Sequence, residues 1–227
     1  MKKILSLFIL VIMLSGCASV QGWKYTSEPK VYKKPDINKT IVIAPLRDER
    51  INENGAKASA WLALIPLVPY STLSEVNVPE SSPFLKFKPI EDFPKAISEE
   101  INNASLFKES YFSDRTSDAD FILTGTLKES KIIQRWTFYG LSLPGDLLWL
   151  LGMPLGRTHN DIEVEFKLID KNYNIYFEKT YKTKEKFNNG YWTNPHESFR
   201  FEIAFKRIAL ELIEDLRKVI PSLNDKK

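Results

Sequence analysis

Asp161–Asp170 reads DIEVEFKLID, and its residues alternate, with Ile162, Val164, Phe166 and Leu168 on one side of an extended chain. A period of two over ten residues is the pattern of a strand with one face on a core and the other in water. Ile175–Phe187 (IYFEKTYKTKEKF) follows after a short gap holding Asn172 and Asn174. Asn suits a tight turn, so the two segments predict a hairpin.

Working outward, Ala119–Ile133 (ADFILTGTLKESKII) predicts a longer strand whose second half alternates. Lys108–Phe112 reads as a short strand. Lys39–Leu46 (KTIVIAPL) is compact, apolar and β-branched, which predicts a buried strand. Two segments change to helical spacing. In Pro89–Phe107 the repeat is Phe93, Ile97, Ile101 and Ala104, with Asp92 as the expected cap and Pro94 in the first turn. Near the end, Asn194-Pro195-His196-Glu197 supplies an N-cap, a proline at the first helical position and a Glu at the third. Phe201, Ala204, Phe205, Ile208, Leu212 and Leu216 then share a face, and Pro221 is the expected stop. The order predicts an α+β fold, a mixed sheet of about five strands with helices on one face.

The chain opens MKKILSLFILVIMLSGCAS. Lys2 and Lys3 precede an apolar run, Ile4–Leu14, of secretory length and too short to span a bilayer. Leu14-Ser15-Gly16-Cys17 resembles the lipobox of bacterial lipoproteins. That resemblance implies a signal peptide over 1–16, and diacylglycerol plus an N-acyl chain on Cys17. Ala18 resembles the residue found in members sent to the outer membrane, facing the periplasm. Cys17 is the only cysteine, which excludes an intrachain disulfide and a cysteine metal site. Loss of Lys2 and Lys3 lowers the formal charge from +3 to +1, so there is no electrostatic case for nucleic acid. Ala18–Asn38 lacks an apolar period and holds two prolines. Residues 17–38 therefore predict a flexible tether, reaching about 70 Å at ~3.3–3.6 Å per residue. A single domain is expected over 39–221, and a polar tail over 222–227.

The TIVIAPL strand, the helix ending in SLF and the ADFILTGTL strand resemble a family of periplasmic lipoprotein domains. It includes the amino-terminal domain of the Tol translocation protein, penicillin-binding-protein activator lipoproteins and the curli-secretion lipoprotein. The resemblance covers roughly residues 39–133 plus the closing hairpin and helix, mostly through core residues. It implies a non-enzymatic adaptor, activator or secretion role and carries over no catalytic residue.

Two segments stand outside it. Arg47–Lys88 is too long for an ordinary connection. It contains AWLALIPLVPY, with Trp61, Leu62, Leu64, Ile65, Leu67, Val68 and Tyr70. Gln134–Thr158 contains Trp136, Tyr139, Leu147, Leu148, Trp149, Leu151 and Met153, with Asp146 as the expected cap of a one- to two-turn helix. Four readings are open: core packing, a partner surface, shallow insertion at the membrane interface, and a spanning hairpin. The aromatic residues suit a headgroup boundary. Spanning is disfavoured, because Ala60–Tyr70 does not alternate and Pro66 and Pro69 would each remove a ladder donor.

Enzymatic signals are weak. Gly140–Gly145 brings Ser142 between glycines one residue too far apart for a nucleophile elbow. His159 and His196 are the only histidines, and neither has the i, i+4 partner of a helical zinc site. Asp48, Glu49 and Arg50 read as a solvated loop start or the lining of a cleft. The expectation is a lipid-anchored, non-enzymatic periplasmic protein without cofactor or metal. It would bind or organise another envelope component, an unidentified protein partner, through apolar loops 60–71 and 136–156. The alternative is a lipid-handling or transport accessory with an apolar pocket between the loops. A homo-oligomer is left open.

Overall fold

A computed structural model describes residues 23–51, 55–57, 71–77, 87–116, 118–137, 148, 150–190 and 201–224. In chain order the elements are β1 (Ile37–Ile43), β2 (Arg47–Asp48), β3 (Gly55–Lys57), β4 (Ser71–Asn77), α1 (Pro89–Asn103), β5 (Phe107–Phe112), β6 (Phe121–Thr137), β7 (Pro154–Asp170), β8 (Ile175–Gly190) and α2 (Phe201–Asn224). Among the described residues they form one mixed sheet with two long helices packed on it, the expected α+β class.

The long strand β6 organises the sheet. At its start it runs parallel to β1, with Ile41 opposite Phe121 and Ile43 opposite Leu123, and then to β2, with Arg47 opposite Thr126. At its end it runs antiparallel to β4, with Asn77 opposite Lys131 and Ser71 opposite Thr137. β5 lies parallel beside β1, and β3 antiparallel beside β4. Along its other edge β6 pairs with β7, and β7 pairs with β8. Ile162, Val164, Phe166 and Leu168 are buried on the face that the alternation predicts. Phe93, Ile97 and Ile101 of α1 and Phe205, Ile208, Leu212 and Leu216 of α2 join them in one core. The opposite face carries ion pairs, among them Lys182–Glu163 at 2.8 Å and Lys184–Asp161 at 2.9 Å.

Helix α1 starts three residues before its expected cap. Asp92 lies within the helix and reaches back, its carboxylate accepting the Lys88 backbone N–H at 2.7 Å. Pro94 has no N–H for the Ile90 carbonyl one turn earlier, and that carbonyl accepts from Leu46 N–H instead, at 2.9 Å. The proline therefore ties the helix to the end of the first sheet segment. At the other end Ser105 adopts a left-handed φ of 51°. Leu106 N–H then reaches the Ile101 carbonyl at 3.3 Å, and Ser105 N–H the Asn102 carbonyl at 3.1 Å, the paired bonds of a Schellman stop.

Three boundary expectations are corrected. Of the tether expected over 17–38, residues from Trp23 onward are instead tied to the domain. Trp23 stacks on Phe87 at 4.6 Å, and Tyr25 donates its hydroxyl to Glu100 at 2.7 Å. Packing of two partly buried aromatic rings on the core outweighs the disorder that the polar composition suggested, and Ile37, 3% exposed, already belongs to the core. Second, Arg47–Lys88 is not one loop, because β2, β3 and β4 extend the sheet within it. Third, α2 runs through Pro221 to Asn224. Ile220 just before the proline and Leu223 just after it are buried, which offsets the hydrogen bond the proline removes. The domain therefore includes Leu223, beyond the limit expected at 221. The expected start of α2 at Asn194-Pro195-His196 lies outside the described residues.

Candidate interaction surface

Three strand pairs define one end of the sheet. Ser71, first in β4, faces Thr137, last in β6. Trp136 faces Gly156 of β7. Pro154, first in β7, faces Gly190, last in β8. Segments 58–70, 138–153 and 191–200 therefore all attach at or near this end. The sequence supplies the apolar content, AWLALIPLVPY in the first and LPGDLLWLLGM in the second. The topology supplies their common origin.

The second insertion is shorter than expected. Trp136 belongs to β6, and Pro154–Gly156 belong to β7, so the connection narrows to 138–153. Within it Leu148 and Leu150 are helical. The turn stops at Gly152, whose φ of 92° is a conformation that side-chain-bearing residues rarely adopt. Met153 N–H closes the stop on the Leu148 carbonyl at 3.0 Å. Leu148 is half-buried, whereas Leu150 is 43%, Leu151 80% and Met153 38% exposed. Three large apolar side chains within four residues thus face water, which sets this segment apart from ordinary core. Tyr139, Leu147 and Trp149 lie outside the described residues, as do Trp61, Leu62, Leu64, Ile65, Leu67, Val68 and Tyr70, and Cys17.

Of the weak catalytic candidates, His159, Asp48, Glu49 and Arg50 fall among the described residues. His159 sits half-buried on β7, opposite Ile133 and Lys186. Ser142 and His196 lie outside the described residues. Asp48 accepts from Arg50 through Nε at 2.8 Å and Nη2 at 2.6 Å. Those bonds hold its carboxyl below the usual range. Glu49 pairs with Arg47 at 3.2 Å. Asp48 and Arg50 thus pair with each other, as do Glu49 and Arg47. Among the described residues no cluster of three or more His, Cys, Asp or Glu could hold a metal ion, and no helix is long and apolar enough to cross a membrane.

The N-terminal strap escaped the sequence reading. Trp23 contacts Phe87, Phe93 and Phe205, the first of which ends the first insertion. Glu100, 2% exposed, accepts both the Tyr25 hydroxyl and the Glu28 N–H. Burial first, and the Glu100 carboxylate second, raise the Tyr25 hydroxyl far above its ordinary range. Asn103 donates to Ser27 Oγ at 3.0 Å, and Lys206 pairs with Glu28 at 2.6 Å. The available signal was the aromatic pair at i and i+2 in a polar stretch.

No protein-family model matches the chain, and no curated protein matches it. Among solved structures, it is similar to a protein of the DUF330 family from Xanthomonas campestris, with a TM-score of 0.48 and 11% identity, over 91% of this chain and 98% of that one. It is also similar to a protein described as a lipoprotein from Caulobacter crescentus, with a TM-score of 0.32 and 14% identity, over 59% of this chain and 85% of that one. A minor lipoprotein from Acinetobacter baumannii gives a TM-score of 0.34 at 14% identity, over 56% of this chain and 84% of that one.

Proposed function

We propose that the protein is a lipid-anchored, non-enzymatic envelope protein that binds another envelope component through the apolar end of its sheet. The exposure of Leu150, Leu151 and Met153 carries this reading. A solvent-facing apolar segment gains free energy from cover, at about 25 cal/mol per Å² of apolar surface removed from water. Acyl chains on Cys17 would hold the protein at the outer membrane, facing the periplasm. Two or three chains, at about 0.8 kcal/mol per buried methylene, suffice for retention. The apolar end is then left to make a specific contact, with no cofactor needed.

Two experiments test the two halves. Cys17→Ser should leave an unprocessed precursor, and normal maturation of that variant would refute the anchor. A photo-crosslinking residue in place of Leu151, in intact cells, should give one discrete protein adduct. Its absence, alongside adducts to lipid alone, would refute a protein partner.

A further inference from the structure

The inner face of the β6–β7–β8 sheet changes character along its length. Leu127, Val164 and Tyr181 form one apolar row across the three strands. The neighbouring row toward the apolar end is Ser130, Ile162 and Thr183, and the next is Ile132, Asn160 and Glu185. Ser130 and Asn160 are 0% exposed and Thr183 is 5% exposed. Among the described residues, Ser130 Oγ, Thr183 Oγ1 and both side-chain polar atoms of Asn160 have no hydrogen-bond partner. Leaving a buried polar atom unpaired costs more than a typical hydrogen bond contributes, and here four such atoms share one face.

The chemistry of the groups restricts what satisfies them. The hydroxyls donate and accept, and the Asn160 amide donates from nitrogen and accepts at oxygen. A phosphate or carboxylate only accepts. The nearest carboxylate on this face, Glu185, is engaged by Arg207 Nη2 at 2.6 Å, an ion pair rather than an aligned hydrogen bond, so it is not free to bind a cation. Asp161 lies on the other face, paired with Lys184. The site is therefore electrically balanced and needs a partner that both donates and accepts.

We propose that Ser130, Asn160 and Thr183 form an internal site for uncharged hydroxyl groups, those of ordered water or of a polyol. The site is independent of what the exposed leucines contact. The test uses the full mature chain and two conservative variants, Ser130→Ala and Thr183→Val. If the site is occupied, each loses a hydrogen bond and should melt about 2–4 °C lower. If the groups are dry and unpaired, each variant should melt higher, which would overturn the proposal. Water-edited NMR gives a second measurement. Cross-peaks between water, or added glycerol, and the Asn160 side-chain amide are expected in the unaltered protein. Water peaks that persist in glycerol identify water as the occupant, and their replacement by glycerol peaks identifies a polyol. Silence from both would again overturn the site.

Discussion

At the scale of single residues, the β7–β8 turn stores strain at Tyr173. Its φ of 62° is left-handed, its N–H closes on the Asp170 carbonyl at 3.0 Å, and its side chain is 79% exposed. A left-handed conformation costs a side-chain-bearing residue about 1–2 kcal/mol, and this side chain recovers little by burial. Tyr173→Gly should therefore raise unfolding stability by about 0.5–1 kcal/mol, the remainder being offset by glycine's greater freedom when unfolded. A higher urea midpoint at an unchanged slope would verify it. Asp215 contributes to stability toward acid. Lys179 first, then Lys218 and the Tyr181 hydroxyl, hold its carboxyl at about 2, from an ordinary 3.8. Folding thus favours the charged form. Its contribution is complete above the unfolded value, and is lost as pH falls through the folded one. Asp215→Asn should cost about 1–2 kcal/mol at neutral pH, discounted for partial solvent screening. Stability curves of the variant and the original protein should converge near the folded value. A gap independent of pH would show that the carboxylate charge is not what matters.

At the scale of elements, close packing decides where β6 lies. A Cβ added at Gly125 would stand 2.4 Å from the Glu165 carbonyl oxygen and 2.9 Å from Leu46 Cδ2. The first of these is backbone and cannot step aside. Gly125→Ala should therefore cost about 3 kcal/mol, at the upper end of overpacking, and thermal melting would register it. Glycine inside a strand is a sequence sign of close approach, so this constraint was available in LTGTL but not read there. The hairpin and both helices were legible, because β7 and β8 alternate and α1 and α2 repeat at helical spacing over long runs. The pieces that were not legible depend on partners far away in sequence. GAK and STLSEVN, the strands β3 and β4, have no strong period of their own. β4 is held by the end of β6, some sixty residues later in the chain. Trp23 is likewise ordered by Phe87, Phe93 and Phe205. Pro221 reads as a stop until Leu223 is seen to be buried. Of the candidate surface, the apolar composition was legible, but the common end of the sheet came only from strand register.

At the scale of the whole molecule, the sheet has two unlike ends. The β7–β8 turn closes one end with a polar lattice, in which Asp170 accepts the N–H groups of Asn172 and Asn174 at 2.8 and 3.0 Å. The other end carries the attachments of 58–70 and 138–153, and the described part of the second presents Leu150, Leu151 and Met153 to water. If these side chains were ordinary core, truncating each would cost about 2–5 kcal/mol. On an exposed surface, a substitution usually falls within about 0.5 kcal/mol. Changing all three to Ser should therefore move the melting temperature little, improve solubility and abolish the contact that a crosslinker at residue 148 reports. The first insertion supplies the control. If AWLALIPLVPY contributes to the same surface, replacing Trp61 and Leu64 with Ser should weaken that contact too. The two sets should then combine less than additively, because either alone removes a shared surface. Strictly additive effects would mean that the insertions meet separate partners, although they attach at one end of the sheet.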